Sequence, residues 1–198
     1  VQEQQLGTGH SAACSKHLWD KDLVLILNGD APLISEELIN DLIETHVKSK
    51  ATASIASAFV DDSNSYGRVI SKNGKIKIVE AKDCTTEEIK EPKINAGIYL
   101  FSKDFLKSNV EKLEQNNAAQ ELYLTDLVSM ASDQGLHVNV VSAPYDVVRG
   151  VNNLEELWAV EQIKRSELMR HWMQQGVRFG LAQNIHIDMG VKIGAGTF

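Results

Sequence analysis

The run Leu23-Val24-Leu25-Ile26-Leu27, closed by Asn28-Gly29-Asp30-Ala31-Pro32, limits what this chain can fold into more than any other stretch. A short run of branched apolar residues ended by Gly and Pro predicts a strand, and one buried on both faces. Such strands belong to sheets covered by helices on both sides. A helix follows: Ser35 is a good N-cap, Glu36 and Glu37 occupy the first turn, and Leu38, Ile39, Leu42, Ile43 and Val47 recur at helical spacing. Residues 51–60 then predict a second buried strand. Strand, helix, strand is the unit of an α/β fold with parallel strands. Asp30 falls just past the carboxyl end of the first strand, the edge where ligands bind in open α/β sheets. An acid there suits a hard cation such as Mg²⁺, and equally suits a helix cap or turn, so both readings stand.

Further along, residues 61–65 read as a polar loop. Residues 67–71 and 75–80 alternate as strands around Asn73-Gly74, a strong hairpin signal. Glu80 shares a strand face with Ile76 and Ile78, so it points inward with them unless the strand end is open to water. An inward acid needs a partner, which makes it a candidate for ligand binding. Residues 94–101 form another strand, with polar Asn95 among apolar residues and Gly97 permitting a close approach to the backbone. Helices are predicted over 103–115 and 118–135, and a strand over 136–141. A long helix spans 154–175, stopped by Gly176, with Leu154, Leu157, Trp158, Leu168, Met169 and Trp172 as its apolar stripe. Asn152 lies in the turn before it and reads equally as a cap. Gly7 and Gly9 read as a loop.

The charge balance, 20 basic against 27 acidic residues for a net −7, argues against non-specific nucleic-acid binding. No apolar run approaches the ~18–20 residues that span a bilayer. Cys14 and Cys84 are isolated, which fits a reducing, cytoplasmic setting. The histidines lack the spacing of a helical zinc site. The start at Val1-Gln2-Glu3-Gln4 has the look of an internal point of a longer protein. At the other end, residues 185–197 place branched residues and glycines at short, nearly regular intervals, with Ile187 and Ile193 six apart, as in the first turn of a hexapeptide β-helix.

Taken in order, residues 2–10 (Gln2-Glu3-Gln4-Gln5-Leu6-Gly7-Thr8-Gly9-His10), 29–35, Tyr66-Gly67-Arg68, 79–83, Asn95-Ala96-Gly97-Ile98-Tyr99, Tyr123-Leu124-Thr125-Asp126 and Gly150-Val151-Asn152-Asn153 form a specific set. This set resembles the uridyltransferase half of the bacterial bifunctional family that joins an N-acetylglucosamine-1-phosphate uridyltransferase to a left-handed β-helix acetyltransferase. The resemblance covers essentially the whole chain. It implies a Rossmann-like, GT-A-like mixed sheet flanked by helices over 1–180, and the beginning of the β-helix over 181–198. Gln2, Gly7 and Thr8 fall where the family holds uracil and ribose, and Asn28, Gly29 and Asp30 lie on the nucleotide side. Gly67, Glu80 and Asn95 fall where it holds the N-acetyl sugar. Asp30 and Asn152 fall where it binds Mg²⁺, with Asn152 also on the sugar-phosphate side. Asn28 departs from the family, which more often has an aromatic or apolar residue there.

The implied reaction joins UTP and N-acetylglucosamine-1-phosphate to give UDP-N-acetylglucosamine and pyrophosphate, feeding peptidoglycan and lipopolysaccharide precursors. No side-chain nucleophile is required, so no residue is assigned a catalytic role. The family's first strand and its Gly-rich loop bearing Arg and Lys precede the motif at Gln2, and nothing in the sequence stands in for them. Turnover by this chain alone is therefore left open. A homotrimer, formed through the β-helix, is the assembly the resemblance implies for the full protein. Competing readings are another sugar-1-phosphate nucleotidyltransferase, a non-catalytic nucleotide-sugar-binding module, and a hexapeptide acyltransferase fragment, which a single coil disfavours.

Overall fold

The computed structural model describes residues 2–61 and 65–198; most of the polar loop expected at 61–65 lies outside them. In chain order the elements are α1 (Thr8–Cys14), β1 (Leu23–Leu27), α2 (Glu36–Ser49), β2 (Ala53–Phe59), β3 (Arg68–Lys72), β4 (Lys75–Val79), β5 (Lys93–Ser102), α3 (Lys103–Asn109), α4 (Asp126–Asp133), β6 (Val138–Ser142), the single turn α5 (Tyr145–Val148) and α6 (Leu154–Gln174). Two units separate: residues 1–29 with 34–148, and residues 30–33 with 149–198.

The first unit is organised around β5. Ile94, Ala96, Ile98 and Leu100 face one core with Leu38 and Leu42 of α2, while Tyr99 and Phe101 face the other with Leu106 of α3 and Leu127 and Val128 of α4. This period of two is what a strand covered on both faces requires. Leu42 is fully buried, a burial worth roughly 1.5–3 kcal/mol. The sheet runs β4-β3-β5-β2-β6, with β1 also paired to β5. It is mixed: β5 is antiparallel to β1, β2 and β3, and β2 is parallel to β6. Thus β1 and β2, joined through α2, run the same way but have β5 between them.

Local signals hold in detail. Leu38 N–H donates to Ser35 Oγ at 3.2 Å, the cap expected of that serine. Asn73 and Gly74 both have positive φ, 53° and 75°, as the tight hairpin between β3 and β4 demands.

Three expectations in the first unit need correction. β1 is not buried on both faces: Leu25 and Leu27 remain 37% and 44% exposed. Among the described residues β1 pairs only β5, so its other edge has no strand beside it. The helix expected over 118–135 begins only at Asp126. The preceding backbone has other partners: Leu122 N–H donates to Leu6 O, Gly9 N–H to Leu122 O and Leu124 N–H to Thr8 Oγ1. Finally, the expected helix over 103–115 is an α-helix only to Asn109, continuing as a 3-10 turn over Val110–Lys112.

In the second unit, Asn153 caps α6 by accepting from Glu156 N–H at 2.9 Å. Gly176, at φ 85°, ends the run of helical backbone. The expected apolar stripe is buried only in part: Met169 is 8% exposed, but Leu154 and Trp158 are 81% and 63% exposed. Residues 185–198 carry neither helix nor strand. Arg178 N–H donates to Thr197 O and Gly196 N–H to Gly176 O, holding the tail to the residues after α6.

Candidate functional site

The strand register brings Gly67, Glu80 and Asn95 together in the first unit. Asn95 N–H donates to Gly67 O at 2.8 Å, tying the start of β5 to the residue before β3. β4 returns antiparallel to β3 and delivers Glu80 just past its end, so that a Cβ on Gly67 would sit 3.2 Å from Glu80 Oε2. Glycine at 67 leaves that space open. Asn95 shares a face of β5 with Gly97 and Tyr99, and its Nδ2 donates to the Tyr99 hydroxyl at 2.6 Å.

Two residues with no role assigned from the sequence complete this group. Thr125, 3% exposed, donates from Oγ1 to Glu80 Oε1 at 3.0 Å. Tyr99, also buried, orients Asn95. The four-residue spacing of Asn95 and Tyr99 on one strand was a usable signal; Thr125 lies 45 positions from Glu80 and gave none. Burial raises the Glu80 carboxyl above its ordinary range, opposed by the Thr125 bond and reinforced by Asp126, Asp83 and Glu121. Burial likewise raises Asp126, with Asp83 adding to it, and pushes the Tyr123 hydroxyl up to about 12. The group can accept hydrogen bonds from hydroxyls and amides, and its carboxylate is partly desolvated, which strengthens such bonds.

Of the residues expected on the nucleotide side, Gln2, Gly7, Thr8, Asn28 and Gly29 lie in the same unit, whereas Asp30 falls in the second. Gly7 has φ 109°, and a Cβ there would lie 2.7 Å from Leu122 O, so only glycine fits this turn. Gln2 Nε2 donates to Gly7 O at 3.3 Å and lies 2.8 Å from His10 Nδ1. Thr8 Oγ1 is engaged by Leu124 N–H at 3.0 Å. Asn28 N–H donates to Gly97 O at 3.1 Å, and a Cβ on Gly97 would collide with the Asn28 carboxamide. The close approach expected at Gly97 is therefore made by Asn28. Gly29 has open space where a side chain would be. A cleft of about 610 Å³ runs here, lined among others by Thr8, Trp19, Leu25, Leu27, Asn28 and Gly29.

Asp30 and Asn152 meet in the second unit. Val151 N–H donates to Asp30 O at 2.9 Å. A Cβ on Gly150 would sit 3.3 Å from Asp30 Oδ2 and 3.7 Å from Asn152 Nδ2, so glycine leaves a small cradle between carboxylate and carboxamide. The Asp30 carboxylate suits Mg²⁺, and Asn152 would add an oxygen once its carboxamide turns, since the atom nearest the cradle is its nitrogen. No group of three or more His, Cys, Asp or Glu that could hold a metal exists among the described residues. The capping role is taken by Asn153, not Asn152.

The nucleotidyl transferase family profile matches residues 1–180. The chain is 40% identical over 197 residues to the bifunctional protein GlmU of Clostridium novyi (strain NT), covering 98% of this chain and 43% of that protein. It is 39% identical over 198 residues to the bifunctional protein GlmU of Fervidobacterium nodosum, covering 100% and 43%. The chain thus spans less than half the length of these curated relatives. A crystal structure of UDP-glucose pyrophosphorylase complexed with UDP-glucose superposes with a TM-score of 0.58 at 14% identity, over 84% of this chain and 64% of that one, which speaks to the fold alone.

Proposed function

The chain belongs to the nucleotidyl transferase family, and from that premise we propose that it carries the uridylyl-transfer half of an enzyme making UDP-N-acetylglucosamine and pyrophosphate from UTP and N-acetylglucosamine-1-phosphate. The observation that carries this reading is the convergence of Gly67, Glu80 and Asn95, each from a different strand or strand end, into one polar group. Glu80 and Asn95 would accept from and donate to the sugar's hydroxyl and N-acetyl groups, with Gly67 allowing close approach. Gln2, Gly7, Thr8, Asn28 and Gly29 would hold the uridine. The sugar phosphate oxygen would attack the α-phosphorus in line, releasing pyrophosphate, with rate coming from positioning and charge stabilisation. Asp30 and Asn152 would hold Mg²⁺, which when bound neutralises phosphate charge.

On this reading residues 1–180 form the nucleotidyltransferase domain and 181–198 begin a left-handed β-helix, through which the full protein assembles as a trimer. The setting is cytoplasmic synthesis of cell-wall and lipopolysaccharide precursors. No helix among the described residues is long and apolar enough to cross a membrane. Calorimetry on the full protein with UDP-N-acetylglucosamine, UDP-glucose and dTDP-glucose tests the substrate. Tightest binding of UDP-N-acetylglucosamine supports the proposal. Preference for another nucleotide sugar points to a related nucleotidyltransferase. Tight binding without pyrophosphate chemistry points to a binding module.

A further inference from the structure

His10 stands in the first turn of α1, facing back toward Gln2, and its ring nitrogens have different surroundings. Nδ1 lies 2.8 Å from Gln2 Nε2, and Nε2 lies 3.8 Å from Cys14 Sγ, one helical turn on. The same Gln2 nitrogen lies 3.3 Å from Gly7 O. A carbonyl oxygen only accepts, so the amide nitrogen must be the atom facing it. That nitrogen has two hydrogens: one goes to Gly7 O and the other to His10 Nδ1. His10 Nδ1 must then be bare, with the ring proton on Nε2, directed at the weakly accepting sulfur.

Both Gln2 donors are therefore used inside the protein. Gln2 Oε1 has no protein partner among the described residues. A free glutamine can turn either end of its amide toward a ligand, whereas this one can offer only an acceptor. We infer that His10 is a positioning residue that locks the Gln2 carboxamide with its oxygen outward, so that the base site selects bases carrying a ring N–H on their pairing edge. Uracil and thymine carry that proton at N3; cytosine presents a bare N3, which the Gln2 oxygen repels. This rests on the proposed placement of Gln2 at the base. Without the His10 acceptor, the amide turns freely and the discrimination against cytosine weakens.

The test compares kcat/KM for UTP and CTP in the full protein, with N-acetylglucosamine-1-phosphate as the second substrate, for wild type, Gln2→Ala, His10→Phe and His10→Asn. Phe keeps the ring but has no acceptor, while Asn restores an acceptor near the Nδ1 position. The UTP/CTP ratio should fall about three- to tenfold in His10→Phe, through KM for UTP and not kcat, and recover in His10→Asn. It should also fall in Gln2→Ala. A fall in Gln2→Ala with no change in His10→Phe would overturn the lock while keeping Gln2 at the base. No change in either would overturn the base placement itself. Should His10→Phe fail to fold, ¹⁵N shifts of the His10 ring in the wild-type protein decide: a bare Nδ1 supports the lock, and a protonated neutral Nδ1 refutes it.

Discussion

The proposed sugar-binding residues Gly67, Glu80 and Asn95 and the proposed uridine-binding residues Gln2, Gly7, Thr8, Asn28 and Gly29 sit in one unit but are built differently. The sugar side is strand-borne: β3, β4 and β5 set Gly67, Glu80 and Asn95 by register, and buried Thr125 and Tyr99 hold the polar ends. The nucleotide side is turn-borne: Gly7 and Gly9 press onto residue 122, and Asn28 lies over Gly97 at the end of β1, whose outer edge is open. One side relies on a partly desolvated carboxylate, the other on neutral amides and backbone. The sugar side should therefore lose affinity through charge and respond to pH, while the nucleotide side should fail through backbone geometry.

The largest effect should come from Glu80→Ala or Asn95→Ala. Losing a hydrogen bond to a charged or buried group costs about 1.5–3 kcal/mol, so product affinity should fall on the order of 10- to 150-fold while UMP affinity holds. Calorimetry with UDP-N-acetylglucosamine and UMP reads both. An equal fall for UMP would erase the distinction between the two groups.

Gly97→Ala should break the other side. Its φ of 69° already disfavours a side chain, by roughly 1–2 kcal/mol, and Asn28 must also move. Thermal unfolding should show a loss of at least about 2–4 °C per kcal/mol at this chain length. UMP binding should weaken more than sugar-phosphate binding. Unchanged melting and binding would show that Asn28 does not depend on this glycine.

Smaller, and dependent on pH, is Glu80→Gln. Burial raises the Glu80 carboxyl in the folded chain, so folding favours its protonated form. The stabilisation associated with this group is full below the ordinary value of 4.5 and is lost as pH rises through the folded value. The variant should melt higher than wild type at pH 7, the gap closing below about pH 4. A gap that widens with acidity would contradict the cause assigned to the shift. Glu88, on the same connection but toward the surface, should behave oppositely. Lys77 first, then the Thr85 backbone N–H and hydroxyl, lower its carboxyl to about 2. Its contribution is present above the ordinary 4.5 and disappears as pH falls toward 2. Glu88→Gln should cost less than about 1 kcal/mol at pH 7, because solvent screens the pair. Urea titrations across pH would show it, and a larger loss at pH 3 than at pH 7 would refute it.

What could be read from sequence was local. Ser35 as a cap, Asn73-Gly74 as a hairpin and Gly97 as a point of close approach depend on neighbours within a few residues, and each is found in place. What could not be read was set by topology. Nothing near Leu23–Leu27 shows that β5 would pair it antiparallel and leave its other edge open. Residues 118–125 look helical until residues 6–9 claim their backbone groups. The apolar residues of α6 have the right spacing for burial, yet Trp158 is largely exposed. In the candidate site, the glycines and the acid were legible because each is unusual in its segment. Thr125 and His10 fall within quoted motifs, but their roles were not legible, because their partners come from elsewhere in the fold or from outside regular structure.

Pyrophosphate release from UTP and N-acetylglucosamine-1-phosphate would report the proposed magnesium-dependent uridylyl transfer itself. The full protein and its Asp30→Ala variant would be assayed with and without Mg²⁺, and their folding compared by circular dichroism. Wild type should release pyrophosphate only with Mg²⁺, and a folded Asp30→Ala should release it near background. No release by the folded wild type with Mg²⁺ present, or equal release and equal Mg²⁺ dependence in the variant, would contradict the proposal.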